Sequence, residues 1–258
     1  MKKLILFLFL FLLSCSNNYS EFHKEIDKNI ETQTQIDNKL NNFSLDKIKY
    51  LSWITLNSTP DTKFLDELSL KIEKSKSKVQ VEVYIFTEKR LKNAILKAKK
   101  SWVVVEVLLE KNVYMAPSLN KKIYDEFKKA WIDVRYSNSK NYSLNHTKMM
   151  IIDDEVMLST WNYSYSSFKY NREFFISIKN QDLLQKFEEI FTNDFAWKKF
   201  NIYDDNLVLS PFYSRFKMEY LIKNAKKSIK IYSHNFWDEN ILNLLIKAQK
   251  SWVQVEII

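Results

Sequence analysis

The chain contains no glycine. At the usual frequency of about 7%, roughly 18 would stand in a chain of this length. Glycine is the ordinary residue wherever the backbone takes a positive φ, because it has no Cβ to clash with the neighbouring carbonyl. A chain of 258 residues that turns many times must put something else there. Tryptophan, of which there are 7, stands at several such places. "LKAKKSWVVVEVLL" has the form of a helix running into a buried strand, with Trp102 directly after the helix, where glycine is usual. "IKAQKSWVQVEII" repeats this at Trp252 and "FKKAWIDVRYS" at Trp131. Trp161 occupies a turn-like place in "LNHTKMMIIDDEVMLSTWNYS". These four are read as glycine positions. Some bacterial lineages translate UGA as glycine, whereas a common alternative code translates it as tryptophan. The competing reading is a genuine Trp-rich, Gly-free protein, and a reassigned UGA does not account for the missing ordinary glycine codons.

The amino terminus, "MKKLILFLFLFLLSCSNN", has a basic start, an apolar run from Leu4 to Leu13, and then Ser14-Cys15. The run is too short to cross a bilayer comfortably and has the shape of a secretory signal. Leu12-Leu13-Ser14-Cys15 resembles a bacterial lipobox, in which the cysteine is lipidated and becomes the mature terminus. Residues 1–15 are therefore read as a lipoprotein-type signal. Acyl chains on Cys15 would hold the protein on a membrane surface in the cell envelope, outside the cytoplasmic membrane. Cys15 is the only cysteine, which excludes an intramolecular disulfide and a Cys-ligated metal. The net charge of +9 favours anionic partners such as phosphate esters, nucleic acid or anionic lipid. A lysine-rich solvated surface would give the same number.

Residues 16–47 are polar, with Ile26, Ile30, Ile36, Leu40 and Phe43 at weak helical spacing. They read as a partly helical tether. From about residue 48, short apolar runs alternate with amphipathic stretches. Strands are expected at 49–56, 79–86, 102–109, 131–136, 148–152, 155–159 and 173–178, and helices at 62–75, 88–100, 117–130 and 181–195. This alternation predicts an α/β layered domain. An internal repeat follows. "LKNAILKAKKSWVVVEVLL" at 91–109 corresponds to "ILNLLIKAQKSWVQVEII" at 241–258, matching Ala98 with Ala248, Ser101 with Ser251 and Trp102 with Trp252. The expected organisation is one complete unit over 48–201 and the start of a second over 202–258. The sequence stops at Ile258 inside a buried-type strand, so it is read as a fragment of a longer protein.

In "HTKMMIID", His146 and Lys148 are two apart in a strand-like segment and share a face. An imidazole beside an ammonium suits phosphate chemistry. The first can attack or shuttle protons near neutral pH, and the second can neutralise a phosphate oxygen. On spacing alone, two surface residues would be the ordinary explanation.

The wider pattern goes further. His146-x-Lys148-x4-Asp153, followed by Ser159-Thr160-Trp161-Asn162, resembles the H-x-K-x4-D-x6-G-S-x-N signature of the phospholipase D superfamily. "YSSFKYNREFF" at 165–175 resembles the segment after that motif in cardiolipin-synthase-like members. The resemblance spans roughly 48–258. It implies a mixed β-sheet flanked by helices on both faces. It also implies phosphodiester hydrolysis or phosphatidyl transfer, with phospholipid or another phosphodiester as substrate, no cofactor or metal, and two active-site histidines of which His146 is one: one of the pair forms a phosphohistidine and the other protonates the leaving group. In the family, Lys148 and Asn162 would bind phosphate oxygens, with Ser159 and Thr160 beside them in place of Gly-Ser. Glu173 would orient the imidazole. Asp153, the third motif residue, is read as support more than participant. The family needs two such motifs in one site. Here the second would come from beyond Ile258 or from a homodimer partner. Ser159-Thr160 arrive one residue early, and a genuine Trp161 is expected to crowd the site. A nuclease of the same superfamily and a non-catalytic surface binding protein are the alternatives. His23, in the tether, is read as solvated, and His234 as structural or cleft-lining.

Overall fold

A computed structural model describes residues 54–198, 200, 202–211, 213–233 and 236–258. The signal, Cys15, the tether with His23, and His234 lie outside the described residues. The chain forms two compact units, Leu51–Phe200 and one containing Asn201–Ile258.

The first unit is built on a seven-stranded sheet in the order β1-β7-β6-β5-β2-β3-β4. The strands are β1 (Ile54–Ser58), β2 (Lys78–Val83), β3 (Val104–Leu109), β4 (Asp133–Tyr136), β5 (Lys148–Ile152), β6 (Glu155–Ser159) and β7 (Phe174–Ile178). β2, β3 and β4 run parallel, joined by α2 (Lys89–Lys100) and α3 (Lys121–Lys129). Parallel neighbours need such crossovers. β5, β6, β7 and β1 continue the sheet with antiparallel pairs. The expected mixed α/β architecture is thus present.

Alternation along β2 explains the layers. Val79, Val81 and Val83 are buried in one cluster with Leu68 and Ile72 of α1 (Thr62–Glu73), Leu91 and Ile95 of α2, and Phe127 of α3. Each such aliphatic side chain removed from water contributes about 1.5–3 kcal/mol. Lys78, Gln80 and Glu82 point to the opposite face, where α5 (Gln181–Phe195) lies. Lys78 is bonded there to Glu188, and Glu82 meets Asp194. Helix starts follow the sequence: Asp61 caps α1 by accepting from Lys63 and Phe64, and Asn180 caps α5 by accepting from Leu183. The short helix α4 (Tyr165–Lys169) was not expected.

The second unit carries α6 (Ser214–Asn224), β8 (Ser228–Ile231), α7 (Glu239–Lys250) and β9 (Gln254–Ile257). It reproduces the β2-α2-β3 arrangement residue for residue. Lys78 pairs with Val104 in the first, and Ser228 with Gln254 in the second, both in parallel register.

The helix ends show where glycine would be used. Trp102, Trp131 and Trp252 have φ of 66°, 57° and 67°, as their placement after helices predicts. Trp197, unremarked in the sequence, joins them at 57°. All four sit in the same hydrogen-bonded joint. The Trp102 amide donates to Lys99 and that of Val103 to Ala98, and the same pair of bonds recurs at Trp131, Trp197 and Trp252. This joint sets strand starts later than expected: β3 begins at Val104 rather than Trp102, and β4 at Asp133 rather than Trp131. Trp102 and Trp252 are 95% exposed, so their rings contribute no core packing.

Trp161 differs, and the expectations for it are corrected. Its φ is not positive and it is only 1% exposed. The ring stacks on Phe175 at 5.2 Å and meets Phe168 and Phe64 edge-on at 5.0 and 5.9 Å. It is a core aromatic, and the aromatic cluster, not the site, takes up its bulk.

Asp153 forms the turn between β5 and β6 with a φ of 52°. Its carboxylate accepts from the amides of Lys76, Ser77 and Lys78 and from the Ser77 hydroxyl. These bonds hold its carboxyl below the usual carboxylate range against an opposing burial effect. The turn is thereby tied to the start of β2.

Stability measurements on four variants check these assignments. Trp102→Gly and Trp131→Gly are each expected to stabilise the fold by about 1 kcal/mol, because they relieve a left-handed backbone. Trp161→Gly is expected to cost about 3–5 kcal/mol through a core cavity. Urea midpoints at constant m-value read both. Asp153→Ala is expected to lower stability by about 1–3 kcal/mol by leaving amides without an acceptor, measured in the same way.

Candidate functional site

The site lies where the β4–β5 connection delivers the chain to the C-terminal end of β2. Antiparallel pairing sets Lys148, the first residue of β5, opposite Val83. Beyond the paired strands, the Tyr84 amide donates to the Thr147 carbonyl at 3.0 Å. His146 therefore sits in the connection just ahead of β5 rather than in the strand itself. Its ring packs on that of Tyr84 with centroids 4.6 Å apart.

Lys148 is only 2% exposed. Its Nζ donates to the His146 carbonyl at 2.6 Å and lies 5.3 Å from the centre of the Tyr84 ring. Burial pushes the ammonium down to about 7, and the Glu173 carboxylate opposes that shift. Burial pushes His146 down to about 3, with the neighbouring Lys148 adding to it. The imidazole is thus neutral over the physiological range, with a lone pair on one nitrogen.

Glu173 accepts from the Thr160 hydroxyl at 2.7 Å and from the Asn171 amide at 3.3 Å. Among the described residues it makes no hydrogen bond to the His146 ring. Its charge acts on Lys148, which revises the expectation that it orients the imidazole. Thr160 joins the turn to β7, since its Oγ1 also receives the Phe174 amide at 3.0 Å. Ser159 is buried and donates to the Trp161 carbonyl at 3.0 Å, so its hydroxyl serves the turn and not a ligand. Asn162 has a buried Oδ1 with no partner. A half-turn of the amide would present Nδ2, a donor suited to an anion, at the same place. Asp153 is placed as a support, the role read for it from the motif. It stands at the far end of β5 from Lys148, on the order of 16 Å away at strand rise, and its lone pairs are taken by backbone amides.

Sequence reasoning missed Tyr84 and Asn120. Asn120 is buried, donates to the carbonyls of Tyr84 and Glu110, and accepts from the Phe86 amide. It fixes the backbone on which Tyr84 stands. The Tyr84 hydroxyl accepts from the Tyr114 amide at 2.7 Å. The available signal was positional: Tyr84 ends a parallel strand, where loops gather functional residues. Among the described residues no group of three or more His, Cys, Asp or Glu side chains could hold a metal ion.

Comparison with known proteins agrees with this geometry. The family described as cardiolipin synthase, phospholipase D-like domain, matches residues 68–195. The fold is similar to that of Nuc from Salmonella typhimurium, a phospholipase D family member. The two are 20% identical with a TM-score of 0.50, over 58% of this chain and 97% of that one. It is also similar to phosphatidylserine synthase of Haemophilus influenzae Rd KW20, at 14% identity and a TM-score of 0.65, over 87% of this chain and 65% of that one. Polyphosphate kinase from Porphyromonas gingivalis is similar at 15% identity and a TM-score of 0.63, over 79% and 37%. At these identities the likeness is one of fold. No curated protein matches the chain. With His146, Lys148 and the seven-stranded mixed sheet in place, the chain carries a phospholipase D superfamily domain of the cardiolipin-synthase-like kind over residues 68–195.

Proposed function

We propose that this chain cleaves or transfers a phosphodiester through a phosphohistidine on His146, with phospholipid as the substrate class. The observation that carries the reading is a neutral imidazole held beside a buried ammonium at the end of β2. The imidazole lone pair attacks phosphorus, a P–N bond forms, and the ester P–O bond breaks. Lys148 neutralises a non-bridging oxygen, and the Asn162 amide takes another. The leaving oxygen receives its proton from a second histidine. That histidine belongs to a second motif, in a further repeat or in a second copy of the chain. Water or an alcohol then cleaves the P–N bond, giving hydrolysis or transfer. A lipidated Cys15 would keep the domain at a membrane surface in the cell envelope, where such a substrate is concentrated.

The nuclease alternative shares this chemistry and the net charge of +9, so substrate decides between them. The full chain, carrying its second motif in cis or as a dimer, is expected to act on phosphatidylglycerol vesicles rather than on single-stranded DNA. His146→Ala is expected to lower turnover by at least ~10²-fold without changing the urea midpoint appreciably. Unchanged turnover would leave only the binding reading. Cys15→Ser is expected to abolish incorporation of labelled palmitate. The pH profile follows from the two shifted groups. His146 stays unprotonated above about 3, and Lys148 loses its charge as pH rises through about 7. Plots of kcat/KM are therefore expected to fall on the alkaline side, near neutral pH, with no acid limb from His146 above pH 4. Stopped assays across pH 4–10 check this.

A further inference from the structure

Beneath the segment that carries His146 lies a set of buried acids that the proposed chemistry does not use. Glu82 projects from β2 onto the α5 face, where it meets Asp194 near the end of that helix. Glu82 is 1% exposed. Its Oε2 and the Asp194 Oδ1 are both buried, and neither receives a hydrogen bond from a donor group. A buried carboxylate oxygen without a donor is strongly disfavoured. Yet the two side chains are themselves in hydrogen-bonding contact. Two carboxyls can bond to each other only through a proton that one of them carries.

The groups facing the pair come from three elements. Glu82 Oε1 accepts the Asn145 amide at 2.7 Å, and Thr147 lies beside the same carboxyl. Tyr142, from the same β4–β5 connection, lies beside Asp194. The register neighbours of Glu82 on β3 and β5 are Leu108 and Met149, which carry no charge. Burial pushes both carboxyls well above the carboxylate range; Glu82 raises Asp194 further, while Asn145, Thr147 and Asp194 oppose the rise of Glu82.

Asn145 links this pair to the site. It is tied at three points, and two of them bracket His146. Its amide nitrogen donates to Glu110 at 2.9 Å, its Nδ2 donates to Glu82, and its Oδ1 accepts from the Thr147 amide at 3.1 Å. Glu110 in turn receives the Ser137 hydroxyl and the Asn112 amide.

We propose that Glu82 and Asp194 hold a proton between them at neutral pH and that this acid pair, acting through Asn145, positions His146. Glu82 is thus a positioning residue. The positioning half rests on the reading of His146 as the reacting group; the shared proton does not.

The sign of the pH effect is fixed. Both carboxyls bind their protons more tightly folded than unfolded. Their contribution to stability is therefore full at low pH and is lost as pH rises through their folded values. Glu82→Gln keeps an acceptor for Asn145 and supplies a permanent donor toward Asp194, so it mimics the protonated pair. The melting temperature of this variant relative to the parent is expected to climb by about 3–5 °C between pH 5 and pH 9. Lys148 titrates in both proteins and drops out of the difference. A flat difference would overturn the shared proton.

Two further readouts test positioning. Glu82→Ala is expected to shift the His146 ring resonances and to lower turnover by about 10–100-fold, and Glu82→Gln is expected to restore both. A Gln variant as impaired as the Ala variant would overturn the role. Should His146→Ala leave turnover intact, the catalytic reading of the site fails, while the pH comparison still decides the proton.

Discussion

The pairing of β5 against β2 governs the first unit. Five register pairs, from Val83 with Lys148 to Val79 with Ile152, zip the parallel half of the sheet to its antiparallel half. One end of the zip sets the site, because it delivers Lys148 and His146 beside Tyr84. The other end is closed by Asp153, whose carboxylate gathers the amides of Lys76, Ser77 and Lys78. A slip of one residue would turn every side chain of β5 to the opposite face. It would carry Lys148 from the face it shares with Val83 to the α5 face, beside Glu82. Asp153 thus holds, from the far end of the strand, the register that places the other two motif residues.

The same geometry accounts for the electrostatics. A strand in the middle of a sheet covered on both faces has little access to water, so every polar group on it must find a partner inside. Lys148 finds the His146 carbonyl and the Tyr84 ring. Gln80 reaches Glu106 across to β3. Glu82 finds Asn145 and another acid. Both faces of this strand pair therefore carry groups whose proton affinities are moved by burial, one toward the site and one toward α5.

Much of this was legible in advance, for identifiable reasons. Strands β5, β6 and β7 were readable from unbroken apolar runs bounded by polar turns, and α5 from its Asn180 cap and its periodicity. The repeat was legible because it preserves the helix joint, down to Ser101-Trp102 and Ser251-Trp252. What escaped depended on contacts between residues distant in sequence. Nothing near Glu82 in the chain announces Asp194, and Tyr84 reads as one more apolar strand residue until β5 lies beside it. Trp161 was misjudged because its neighbours, Ser159 and Thr160, are turn formers. The partners that make it a core residue, Phe64, Phe168 and Phe175, come from three other elements. Trp197 was passed over because no strand follows it to mark the joint.

The buried ammonium also bears on how the site meets an anion. Glu173 is already a negative charge acting on Lys148, and it offsets only part of the burial effect. A phosphate diester placed against Nζ would act in the same direction and at closer range, favouring the charged amine. The ligand would thus draw a proton onto Lys148 as it binds, and cation and anion would be assembled together out of water. His146 is affected oppositely by the same event. A more fully charged Lys148 disfavours the imidazolium and so opposes the pull of the anion on the ring. Two groups whose shifts share one cause, burial, would in this way be driven toward different protonation states, and under the proposed chemistry that division separates a nucleophile from an electrostatic clamp.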